Sequence, residues 1–400
     1  MGARYQAIGL KAAAGLDVAS GFLGAEAAAK AASRISPAQD TIRLKADTTA
    51  VTGLTAAAEV ARAYDLILDA DFDRLKAELP AVCGPPPPPP DGFGGTSPAA
   101  NSSGTTGPAA NGFGATSPAP RVACLGLEAL SLWWQIQLDP ESRSLDPAFQ
   151  TKVEEAIDEA KAMTETEPTR AEAWFYLGAA YGVRAQWCVH RGDRLDAARD
   201  GKRIKAALER ALALDPAMHD AEFGIGLYRY YADVAPAALK FLRWLLQLPG
   251  GNRVEGLQQL ERAASLGQLV RGEAEFQIHV LYLWYENKWP EALGIIRGLQ
   301  QRYPHNPLFR QIEAEILDRY FHQPAESLRA SQQLLALARD GGVRRPALAE
   351  TVARLNMARQ LIALEQNAAA ATHLDAIIAA KPAAPAGALA RAQRMRREIR

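Results

Sequence analysis

The chain has 400 residues, 48% of them hydrophobic, enough to bury a sizeable core in two domains or in one long repeat array. Its 45 basic and 45 acidic residues cancel, so no global field draws it to nucleic acid or to an anionic membrane. Three cysteines, Cys83, Cys124 and Cys188, lack CxxC spacing and make neither a zinc site nor a disulfide-built fold.

Residues 1–55 are Ala- and Gly-rich, weakly periodic and without capping signals, and are expected to lie outside the fold. Lys11, Asp17 and Glu26 interrupt the apolar core that a signal peptide requires, so the chain as written reads as cytoplasmic. A true start elsewhere would hide an export signal and make the protein periplasmic or exported. Over 56–83 the helical spacing of Val60, Tyr64, Ile67 and Leu68, then Phe72, Leu75 and Leu79, predicts a first helical pair turning near Asp69–Asp71.

Composition changes abruptly over 84–121. Pro85 to Pro90 form a stiff polyproline run, and "DGFGGTSPAA" then recurs as "NGFGATSPAP" in a tract without the apolar residues that offset ordering entropy. This segment is expected to be a disordered insertion. Cys83 and Cys124 bracket it and could pair in an oxidising compartment, which the sequence leaves open. Beyond it "CLGLEALSLWWQIQL" predicts a strongly apolar helix, ended at Asp139-Pro140 because the residue before a proline resists the helical conformation.

A repeat follows. Trp174, Leu177, Gly178 and Tyr181 have the spacing W-x2-L-G-x2-Y, which puts three large side chains on one helix face and a glycine where a paired helix must approach. A second-helix pattern, small-x3-large-x2-small-x4-Pro, recurs. It fits Ala156/Ala160/Met163/Pro168, Ile204/Leu208/Ala211/Pro216, Gly256/Leu260/Ala263, Ala292/Ile296/Leu299/Pro304 and Ala370/Leu374/Ile377/Pro382. On these residues the chain resembles the tetratricopeptide-repeat family over 122–382, as an atypical, bacterial-looking member. The resemblance implies an all-α, right-handed helical solenoid with enlarged repeats, followed by a basic tail over 383–400. In two units the interval from first-helix glycine to second-helix small residue, Gly178 to Ile204 and Gly226 to Gly256, far exceeds the usual twelve or so. The first insertion, 183–205, is charged and reads as helical throughout. The second contains "ALKFLRWLLQL", and its Pro- and Leu-rich run also resembles a eukaryotic tetratricopeptide family linked to lipid droplets and the mitochondrial outer membrane.

No catalytic constellation emerges: the six histidines form no HxxxH or HExxH pair, and neither a G-x-S-x-G elbow nor a Walker loop is present. The expectation is a non-enzyme without cofactor or metal. "LPGGNR" reads as punctuation, with Asn252 capping the next helix and Glu255 three residues on. Solenoids bind partners on the concave face. The family's groove positions fall on Phe175, Phe223, Tyr230, Tyr231, Trp284 and Tyr285, an aromatic lining suited to a protein or peptide, with inter-repeat core as the alternative.

Along 237–248, Lys240, Arg243 and Gln247 fall in a stripe about 60° wide. A twelve-residue helix reaches about 18 Å, short of the roughly 30 Å of a bilayer core. A helix buried on most sides fits best. The alternatives are a partner or homodimer surface and a lipid contact, either through Phe241, Trp244 and Leu245. The sequence thus points to a non-catalytic protein-binding scaffold, with a lipid- or membrane-surface adaptor second.

Overall fold

The computed structural model describes residues 51–84, 118–234 and 250–399. Among these the chain is all-α, with no β-pairing beyond one bridge between Val51 and Arg170. The helices are α1 (Ala57–Leu68), α2 (Phe72–Cys83), α3 (Arg121–Leu138), α4 (Asp146–Thr166), α5 (Ala171–Arg191), α6 (Arg194–Leu214), α7 (His219–Val234) and α8 (Arg253–Leu266). They continue as α9 (Arg271–Trp284), α10 (Trp289–Arg302), α11 (Pro307–Arg319), α12 (Pro324–Arg339), α13 (Pro346–Ala363), α14 (Asn367–Ala380) and α15 (Ala388–Glu398). None of them is long and apolar enough to cross a membrane.

Local chemistry sets the boundaries. Asp71 caps α2 by accepting from the Arg74 amide, and Asn252 caps α8 by accepting from the Glu255 amide at 3.1 Å, as its sequence position anticipates. Asn306 caps α11 in the same way, while Pro307, Pro324 and Pro346 open α11, α12 and α13, where no amide hydrogen is needed. Ala70 turns the chain between α1 and α2 in the left-handed region, inside the turn expected at Asp69–Asp71.

Each helix packs on its sequence neighbour, and odd-numbered helices also touch one another: α3 with α5, α5 with α7, α11 with α13, α13 with α15. In a curved stack the inner layer is the crowded one, so the odd helices form the inner face of an all-α solenoid and the even ones its outside. Spacing chosen from sequence coincides with contact. A Cβ added at Gly178 would lie 2.4 Å from Leu208, and one at Gly256 would lie 2.7 Å from the Gly226 carbonyl. Glycine thus admits α6 against α5, and α8 against α7 almost backbone to backbone.

Three features differ from expectation. The charged stretch 183–205 is not one helix: Gly192, with φ of 93°, breaks it, and its residues lengthen both α5 and α6. Residues 388–398 form the packed helix α15 rather than a tail, because buried Arg391 reaches Glu141 at 2.8 Å and the Ala386 amide reaches Asp139. Residues 51–55 belong to the fold: Val51 exchanges backbone hydrogen bonds with Thr169 and Ala171, and the Gly53 and Thr55 amides donate to Asp215 and Glu172. Cys83 and Cys124 are joined as a disulfide that ties the end of α2 to the start of α3.

The array closes on itself. Trp134 of α3, fully buried, meets Phe276 of α9 at 5.1 Å and Phe309 of α11 at 6.0 Å, so units far apart in sequence share one core. That explains why α3 is apolar nearly all round: it has packing partners on most sides.

Candidate functional site

Two places concentrate chemistry, the inner edge and an aromatic corner. Along the inner edge, residues 51–71 touch five successive turns between units. At α6–α7 the Gly53 amide donates to Asp215 at 3.0 Å. At α4–α5, Thr55 donates through amide and hydroxyl to buried Glu172, which Arg170 also grips at 2.6 Å. At α8–α9 the Leu68 side chain packs over Gly272, where a Cβ would come within 2.5 Å of it. At α10–α11 the Tyr303 hydroxyl donates to Asp65 at 2.7 Å, His305 binds Asp69 through its amide and Nδ1, and the Asn306 amide group donates to the Leu68 carbonyl. At α12–α13, Arg344 pairs with Asp71 at 2.5 Å.

Glu273 lies at the centre of this edge. Its carboxyl accepts from Tyr64 of α1 at 3.2 Å, from Trp134 of α3 at 3.1 Å and from Gln277 on its own helix. Burial pushes the group above the usual carboxylate range, and the three donors offset only part of that shift. Burial, then Glu273 itself, raises the Tyr64 phenol in turn. Asp220 fixes the preceding turn by accepting from three successive amides, Gln268, Leu269 and Val270. His279, further along α9, is pushed down to about 3 by burial and stays neutral. These groups are locked in hydrogen bonds inside a packed core; they hold the edge together.

The six aromatic positions drawn from sequence do not form one groove. Phe175 is buried beside Tyr176 near the start of α5, with ring centroids 5.2 Å apart, and Tyr230 is fully buried. Tyr230, Tyr231 and Tyr285 do come together, each pair edge-on with centroids 5.8–5.9 Å apart. Half-buried Phe223 touches both this cluster and the main core, and Trp284 packs on the main core. The Tyr230 hydroxyl donates to Glu286, which Arg253 holds at 2.8 Å. Burial pushes the Glu286 carboxyl up, but those two partners outweigh it and keep the group below its ordinary value. Burial lifts Tyr285 to about 12. Tyr231, Trp284 and Tyr285 remain partly accessible.

Phe241, Trp244 and Leu245 lie outside the described residues. The described residues on either side of them meet: Gly251 packs against the backbone of Arg229 to Asp233, and the Arg253 amide donates to Asp233 at 3.0 Å. No protein-family model matches the chain, and no curated protein matches its sequence.

The inner-edge residues Glu273, Tyr303, His305, Asn306 and Arg344 escaped sequence reading, since periodicity finds faces and not cross-array partners. One signal was available. Asp65, Asp69 and Asp71 are carboxylates clustered at the end of a short helix, where the helix dipole disfavours them unless they have partners.

Proposed function

We propose that the chain is a non-catalytic, tetratricopeptide-like scaffold that binds a protein or peptide segment at the aromatic corner of α7 and α9. The edge-on cluster of Tyr230, Tyr231 and Tyr285 carries this reading: buried Tyr230 holds the partly accessible rings of Tyr231 and Tyr285, which offer contact area at small entropic cost. The seating of Leu208 against Gly178 and of Gly256 against Gly226 supports the family resemblance. The Cys83–Cys124 bridge supports residence in an oxidising compartment. With the inner edge already lined by residues 51–71, the corner replaces the concave face as the docking surface. Affinity capture with wild type and a Tyr231→Ala/Tyr285→Ala variant tests the reading. Specific partners should be lost from the variant while its helical circular dichroism is unchanged. Identical partner sets reject it.

The second reading, a lipid-surface adaptor, draws on the apolar sequence of 237–248 and on the contact between the described residues that flank it, Gly251 and Asp233. Liposome flotation of wild type but not of Trp244→Glu is its expected outcome, and flotation of neither ends it.

A further inference from the structure

The row of inter-unit turns is a binding site with a ligand already in it, residues 51–71. The occupant has the form of a bound amphipathic helix. Val60, Ala63, Tyr64, Ile67 and Leu68 are buried, and three carboxylates near its end meet Tyr303, His305 and Arg344. Its covalent neighbour α2 is held far less well: Leu75 is its one buried residue. Beyond the packing of half-buried Phe72, Leu79 and Val82 on the core, α2 is held by the bond from Cys83, half-buried, to Cys124, buried on α3, with a backbone bond from the Ala119 amide to the Val82 carbonyl beside it.

We propose that the α1–α2 hairpin is a redox-latched occupant of the inner edge, retained by the Cys83–Cys124 bridge and released from it by a dithiol reductant. The chemistry balances as thiol–disulfide exchange. A thiolate of the dithiol attacks the sulfur of Cys83, the less buried of the two residues, and breaks the bond to Cys124. The second thiol then resolves the mixed disulfide, leaving two protein thiols and an oxidised reductant after transfer of two electrons and two protons. Cys188 stays out of the exchange: it is buried in α5, and burial pushes its thiol up to about 12. Reduction removes a crosslink that spans 41 residues, and chain-entropy estimates for that span correspond to about 10²- to 10³-fold in the opening equilibrium of the hairpin.

Hydrogen exchange of the full chain, oxidised and after dithiothreitol, tests this, with a Cys83→Ser/Cys124→Ser variant as the permanently unbridged form. Amides of 57–68 should exchange roughly 10²- to 10³-fold faster in both unbridged forms, while α12 to α14 keep their protection. Unchanged exchange over 57–68 overturns the latch. So does an equal acceleration in every helix, which would make the bridge a general stabiliser.

Discussion

Glu273 and His279 share α9, both are buried, and protons act on them in opposite senses. Burial raises the folded-state value of Glu273 above its ordinary 4.5, so its contribution is complete below 4.5 and is lost as pH rises through the raised value. Glu273→Gln keeps an oxygen for Tyr64 and Trp134 but cannot ionise. The melting temperature of this variant, relative to wild type, should rise as pH increases above 4.5 and level off once the raised value is passed; a flat difference rejects the assignment. Glu273→Ala, by contrast, leaves two buried donors unpaired and should cost about 1–3 kcal/mol for each across that range. His279 falls from 6.5 to about 3, so its stabilising effect is complete above 6.5 and is lost as pH drops from there through 3. His279→Gln should flatten the acid limb of the stability profile below 6.5, and superimposable limbs would show that the imidazole does not contribute to it.

At the scale of elements, packing depends on small residues facing large ones. Leu208 of α6 is caught between two glycines, its Cδ2 against Gly178 and its Cδ1 against Gly224. It cannot retreat from a methyl group on one side without striking the other. Gly178→Ala should therefore cost about 1–3 kcal/mol despite the better helix propensity of alanine. Leu208→Ala should cost about 2–5 kcal/mol. The double variant should cost less than their sum by roughly 1 kcal/mol in denaturant titrations, because the shortened side chain makes room for the new methyl. Strict additivity would mean the two do not press on each other. This pair was legible in sequence, as a first-helix glycine and a second-helix large residue. So were the end of α3 at Asp139-Pro140 and the Asn252 cap, all local features governed by a few neighbouring residues. The break at Gly192 was missed because a charged run on both sides of one glycine reads as a single solvated helix. The scattering of the aromatic positions was missed for a different reason: spacing tells which face a residue lies on, not how tightly the stack curls.

At the scale of the molecule, the array departs from the nearest-neighbour behaviour of repeat proteins, whose stability is roughly a sum of unit and interface terms. Residues 51–71 join five turns, the Trp134 cluster joins α3, α9 and α11, and Arg391 with Ala386 ties α15 and its approach to the α3–α4 turn. Coupling of this range should produce one cooperative transition in the oxidised chain, with tryptophan fluorescence and circular dichroism coinciding. Ile67→Ala, at a fully buried position of α1, should move both midpoints together by an amount equivalent to about 2–5 kcal/mol. Separated transitions, with only the first shifted, would show that the units unfold independently.

The position of the bridging segment also dictates an order of events during biogenesis. Residues 51–71 emerge from the ribosome before every surface they touch, and their partners follow up to 273 positions later. Contacts of such sequence separation form slowly, because closure entropy is lost before any contact repays it. The hairpin can pack on α3 early, but its docking stays incomplete until α9 to α13 have been made and stacked. Folding should end with this docking step, and the interval before it is when the nascent chain is most exposed to aggregation and most in need of a chaperone.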